Sequence, residues 1–138
     1  MIDFTTKLGQ RAKQRIETET VIWLTTIDSH DTPQPRPVWF IWDGEAFVIY
    51  SQAKAKKVQH ISKNSNASLN FDSGENGEDI QVFLGKAEIV QNPTPANQNT
   101  AYMDKYRKGI RGLGYTEQVF AAEYSVAIRV KPTRLRSF

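Results

Sequence analysis

The sequence predicts a mainly β chain with helices, folded as a small antiparallel barrel of about six strands with helices at its periphery, in one domain over residues 1–138. Three observations carry this. Short β-branched and aromatic runs recur between clusters of Gly, Pro, Asn, Asp and Ser. Asp43-Gly44 joins two such runs as a hairpin signal, because both turn positions favour positive φ. Helical periodicity is confined to short segments beside the strands, and no internal repeat imposes another architecture.

Asp3 or Thr5 is placed to cap a first helix reaching about Glu17, with Leu8, Ala12 and Ile16 along one side. Thr20 to Ile27 is a first strand, and the Asp, Ser and Pro residues of DSHDTPQP read as a loop. A hairpin follows from Arg36 to Ser51. With Asp43 and Gly44 as its two loop residues, Trp42 faces Glu45, Phe40 faces Phe47, Val38 faces Ile49 and Arg36 faces Ser51. Lys54 to Lys63 switches to a helical period through Val58 and Ile61. ASLNFDS is a strand, GENGED an acidic turn, and DIQVFLGKAEIV a long strand bent at Gly85. Pro95 sits in the first turn of a helix stopped by Gly109, TEQVFAAEY is a short helix, and SVAIRVKPTRLRSF is a last strand with a basic tail.

Composition excludes several classes. The hydrophobic fraction of 39% and mean hydropathy of −0.53 are low, but the apolar residues are gathered into runs, which argues against disorder. A formal charge of +3 is too small to imply a general preference for nucleic acid or membrane. The absence of cysteine removes disulfides, thiolate catalysis and thiolate metal sites, with the cytoplasm the expected compartment. No apolar stretch suits a signal peptide or the roughly 18 residues of a membrane span, so export and membrane insertion are not expected. His30 and His60 stand alone, so no metal is expected, and the acidic turn from Asp72 to Asp79 reads as a solvated loop. Lys105 to Tyr115, basic, aromatic and glycine-rich, reads as a mobile lid.

Two local features suggest a ligand. Val38, Phe40 and Trp42 point one way along their strand while Trp39 and Ile41 point the other, so neither face suits water. One face belongs to the barrel interior; the other meets a second subunit, a flat ligand or a helix of the same chain. Lys54, Lys56 and Lys57 crowd the first turn of the next helix, where unpaired N–H groups and the helix dipole already repel cations. A phosphate bound there, with Arg36 and Ser51 nearby, would reverse that repulsion. A solvated lysine face is the alternative. A flat ring joined by a polar chain to a phosphate, such as flavin mononucleotide (FMN), fits both features.

The order RPVWFIWDG, FVIYSQ, AKKVQHI, ASLNF and IQVFLGKAEIV resembles the flavin-binding split-barrel family, which includes pyridoxamine 5'-phosphate oxidase and the deazaflavin-dependent reductases. The resemblance covers roughly Thr20 to Val90 and implies a six-stranded split β-barrel. It further implies that Arg36 contacts the phosphate and that main-chain groups from Pro37 through Val38, Trp39 and Phe40 to Ile41 contact the ring. Tyr50, Ser51 and Gln52 would lie near the ribityl chain, Lys56 and Lys57 would hold the phosphate, and Gln81 would reach the ring from the other subunit of a homodimer. Departures are clear. Pyridoxamine phosphate oxidases carry a substrate-binding Lys at the position of Ile41, and their C-terminal Arg-x-His motif is absent from PTRLRSF, which argues against pyridoxine chemistry. The expectation is therefore an oxidoreductase using FMN or a deazaflavin coenzyme for hydride transfer with a small-molecule substrate. A flavin carrier or sensor is the alternative. A barrel that stacks single-stranded nucleic acid is a further one, opposed by the lack of basic residues within Val38 to Trp42.

Overall fold

The computed structural model describes residues 2–137. Helix α1 (Lys7–Thr18) is capped by Thr6, whose side chain accepts from Gly9 N–H at 2.9 Å. The expected caps do otherwise: Asp3 accepts from the backbone N–H of Thr5 at 2.8 Å, a local turn that delivers Thr6 to the cap. Strands β1 (Ile22–Ile27) and β2 (Pro33–Val38) form a hairpin in which Leu24 pairs with Arg36. β3 (Ile41–Trp42) and β4 (Phe47–Ser51) form a second, followed by α2 (Lys56–Lys63), β5 (Asn66–Asn70) and β6 (Val82–Ile89). Helices α3 (Thr100–Gly112) and α4 (Glu117–Glu123) precede the last strand β7 (Val126–Arg136).

Among the described residues, all seven strands join one antiparallel sheet in the order β2-β1-β5-β6-β7-β4-β3. The two outermost strands are consecutive in the chain, separated only by Trp39 and Phe40. Three peptide units span about 10 Å at most, so the sheet curls until its edges nearly meet. That near-closure is the split barrel, with seven strands where about six were expected. The seventh lies partly in the expected loop. Pro33, Pro35 and Pro37 alternate along β2, so their missing N–H groups all fall on its outer edge while the residues between them keep the ladder to β1.

The β3–β4 register differs from the two-residue turn predicted. Trp42 pairs with Phe47 and Ile41 with Val48, across a four-residue connection. Asp43 makes this longer loop favourable: its carboxylate accepts from the N–H groups of Glu45 and Ala46 at 2.9 and 2.8 Å and from Arg129 of β7 at 2.9 Å. The register moves by two residues, which preserves faces. Arg36 accordingly pairs with Leu24 instead of facing Ser51, whose partner is Val126.

Val38 and Phe40 enter the barrel core with Leu24, Phe47, Leu69, Phe83 and Val130, and Trp42 packs against it. Ile41 and Trp39 join a second cluster under α3 and α4, with Tyr102, Tyr106, Ile110 and Phe120. The same chain thus supplies the cover on the outer face. The helix expected to stop at Gly109 runs on to Gly112, so most of Lys105 to Tyr115, expected as a mobile lid, is the second half of α3. Gly109 instead lets the helix approach Trp39: a Cβ there would stand 3.1 Å from the indole.

Candidate functional site

The break between β2 and β3 leaves the backbone of Phe40 without a strand partner, and α3 supplies one. Phe40 N–H donates to the Tyr106 hydroxyl at 2.8 Å, whose own proton faces the carbonyls of Thr20 and Phe40, each at 2.8 Å. Lys105 donates to the Phe40 carbonyl at 2.9 Å and lies 3.6 Å from its ring centroid. Burial pulls the Lys105 ammonium down to about 8, only partly offset by the Glu19 carboxylate. Trp39 is held beside this break, stacked on Tyr106 with centroids 4.6 Å apart and planes within 6°.

A cleft of about 420 Å³ opens along this segment, lined by Val21, Pro37, Val38, Trp39, Tyr50, Lys57, Tyr102, Leu113, Phe120 and Tyr124. It is aromatic, with Lys57 as its cation. A second groove of about 350 Å³ is lined by Asp28, Ser29, Gln34, Arg36, Lys56, Gln59, His60 and Lys63 among others. The neighbouring Lys56 and Lys57, at the start of α2, therefore face one groove each.

Helix α2 begins without a side-chain cap, because Ala55 occupies the capping position. Val58 N–H donates to the Ala55 carbonyl at 3.1 Å, which leaves the N–H groups of Lys56 and Lys57 to an outside acceptor. Lys56 and Lys57 occupy its first two positions. Burial, and then the nearby Arg36 guanidinium, pull the Lys57 ammonium below its ordinary value. The Nε of Arg36 is buried with no hydrogen-bond partner among the described residues. Two cations, an orphaned donor and an uncapped helix N-terminus suit a phosphate or carboxylate, and the carboxylate that lines the groove, Asp28, is already engaged by His30, Thr32 and Gln34.

The other expected site residues divide. Pro37, Val38, Trp39, Tyr50 and Lys57 line the cleft, and Arg36 and Lys56 line the groove beside it. Tyr50 is anchored, donating to the Thr94 carbonyl at 2.7 Å and accepting from Asn99 at 3.1 Å. Ser51, 1% exposed, donates to the Gln52 carbonyl at 3.0 Å, and Gln52 is exposed in the turn before α2. Phe40 and Ile41 face the two cores. Gln81 lies apart, accepting from Arg15 at 2.8 Å and donating to Asp79 at 2.7 Å, a strut between α1 and the loop before β6. Sequence reasoning missed Tyr102, Phe120 and Tyr124 in the cleft. The four-residue spacings, Tyr102, Tyr106 and Ile110 along α3 and Phe120 and Tyr124 at α4, were their signal.

Residues 8–138 match the family model described as pyridoxamine 5'-phosphate oxidase. No curated protein matches the chain. Among solved structures, an F420 reductase is 24% identical, with a TM-score of 0.68, covering 90% of this chain and 94% of its own. The conserved hypothetical protein Rv2991 of Mycobacterium tuberculosis is 18% identical, with a TM-score of 0.73 over 96% of this chain and 84% of its own. The haem storage protein HutZ of Vibrio cholerae is 14% identical, with a TM-score of 0.65 over 95% and 94%. At these identities the likeness shows a shared fold, and the haem protein shows that one fold serves more than one ligand.

Proposed function

Because the chain belongs to the pyridoxamine 5'-phosphate oxidase family, we propose that it binds FMN or a deazaflavin coenzyme and acts as an oxidoreductase on a small molecule. The observation that carries this reading is the partnerless Arg36 Nε beside Lys57 at the uncapped start of α2. Such a site gains from an anion what it lacks in the protein. Arg36, Lys56 and Lys57 would hold the phosphate, and the main chain from Pro37 to Trp39 would line the ring. When bound, such a ring supplies two-electron hydride chemistry. The chain's own contribution is to orient and to exclude water: Trp39, braced by Tyr106 and Gly109, forms an apolar wall, and Tyr50 is fixed by Thr94 and Asn99.

We place a second copy of the chain across the cleft mouth. Val21 and Trp23 are 41% and 42% exposed on and just before β1, next to exposed Pro35, and this apolar surface borders the cleft through Val21. Light scattering after size exclusion tests it; a monomer at all concentrations refutes the dimer. The aromatic strand itself, covered by the barrel core on one side and α3 on the other, offers no open stacking platform to nucleic acid. The cofactor reading is tested by titrating FMN and coenzyme F420 into purified protein. Arg36→Ala should weaken the preferred one at least tenfold, and an unchanged affinity refutes the phosphate assignment.

A further inference from the structure

Tyr102 and Phe120 are the most enclosed large side chains of the cleft, at 1% and 2% exposed, and the Tyr102 hydroxyl has no hydrogen-bond partner among the described residues. A buried phenol without a partner is uncommon in folded proteins, where nearly all buried polar groups are satisfied. Its neighbours show the contrast. Tyr50 bonds Thr94 and Asn99, and Tyr106 bonds Phe40 and Thr20. The small surface that Tyr102 retains lies at the cleft it lines, which leaves the hydroxyl open to a bound ligand.

The ring is fixed in place. It packs edge-on to Tyr50 at 4.8 Å, against Tyr106 at 4.8 Å and beside Phe120 at 6.1 Å, so the hydroxyl cannot swing away to find a partner. Burial first, and then the neighbouring tyrosines, raise its pKa above the ordinary phenol range, so it remains protonated and offers a donor. The surroundings define the complementary ligand. Trp39, Tyr50, Phe120 and Tyr124 favour a flat aromatic body, and the lining holds one cation, Lys57, already assigned to the phosphate.

We infer that Tyr102 is a specificity-determining residue, whose hydroxyl donates a hydrogen bond to the carbonyl oxygen of a flat, uncharged aryl carbonyl compound held in this cleft. The inference deepens the functional reading above and rests on its use of the cleft as a ring site. A site built around a donor discriminates against ligands that leave the donor unpaired.

The test uses a near-isosteric pair, 2-acetylnaphthalene and 2-ethylnaphthalene, titrated into the cofactor-free protein by ligand-observed NMR. Wild-type protein should bind the ketone about 3- to 10-fold more tightly than the hydrocarbon, the range of one neutral hydrogen bond. Tyr102→Phe should bind the ketone no better than the hydrocarbon, with hydrocarbon affinity unchanged. Its melting temperature should be unchanged or higher, because the lost hydroxyl bonds nothing among the described residues. Absence of a ketone preference in wild type, its persistence in Tyr102→Phe, failure of both probes to bind, or a melting temperature lowered by several degrees would each overturn the inference. FMN affinity, which depends on Arg36 and Lys57, is measured in parallel. If it is intact while the ketone preference is missing, this inference alone fails.

Discussion

Replacing Lys57 with methionine should push stability and cofactor affinity in opposite directions. The methylene stem keeps its packing, and what disappears is a positive charge at the second position of α2, beside Arg36. A cation at a helix N-terminus is unfavourable by about 0.3–1 kcal/mol, and relief of the Arg36 repulsion brings the gain to about 1 kcal/mol. For a domain of this size that is about 3 °C in Tm. Linkage has a matching sign. Lys57 binds its proton less tightly folded than unfolded, so it opposes folding at neutral pH, and the penalty fades as pH rises from its lowered folded value toward the unfolded 10.5. Cofactor binding should respond the other way. One charge-assisted hydrogen bond to phosphate contributes about 1.5–3 kcal/mol, so Lys57→Met should raise the FMN Kd about 10- to 150-fold. Wild-type affinity should also decline at high pH as the lysine deprotonates, and the variant's should not. Differential scanning fluorimetry on cofactor-free protein and quenching of FMN fluorescence measure both. A lower Tm in the variant, or an FMN Kd within twofold of wild type, refutes the reasoning.

Three further outcomes follow from particular contacts. Tyr106→Phe leaves the buried Phe40 N–H unsatisfied and should cost about 1–3 kcal/mol, read as a lower urea midpoint with the slope unchanged. Gly85→Ala should be more severe than its one added methyl suggests. Its Cβ would stand 2.2 Å from the Lys131 carbonyl at the β6–β7 register shift, and relieving that backbone clash costs about 3 kcal/mol; wild-type stability would remove the close-packing account. Asp28, whose carboxylate accepts from the backbone of Thr32 and His30 and the side chain of Gln34, is held down at about 2. Its folded pKa lies below the unfolded 3.8, so its stabilisation is present above about pH 4 and lost as pH falls through about 2. Asp28→Ala should therefore melt below wild type at pH 7, with the gap closing toward pH 2; a constant gap argues against the turn.

The flavin-site expectations were legible to different depths. The lysines before Val58 announced an anion-seeking helix start because their charge and the helix dipole are properties of adjacent residues. Their relation to Arg36 was right in proximity and wrong in cause. The predicted hairpin pairing is not what brings them together; Arg36 lies in β2, paired with β1, and α2 packs against β1. Gln81 differs in kind. The resemblance places it at a ring held with the other subunit, and within the chain its amide accepts from Arg15 and donates to Asp79.

The sequence by itself determined the alternation of faces from Val38 to Trp42, the positions of most strands and helices, and the lysine-rich start of α2. These depend on the two-residue period of a strand and on neighbours along the chain, so a register shift of two left the faces intact. Tertiary structure decided what covers the outer face and what lines the cleft. Trp39 could meet a partner subunit, a ligand or a helix with equal local logic; α3, arriving from more than sixty residues away, filled that face and satisfied the broken strand through Tyr106 and Lys105. The same packing enclosed Tyr102 while leaving its hydroxyl without a partner. Such long-range satisfaction of backbone and side-chain polar groups is set by how elements dock, which local periodicity does not encode.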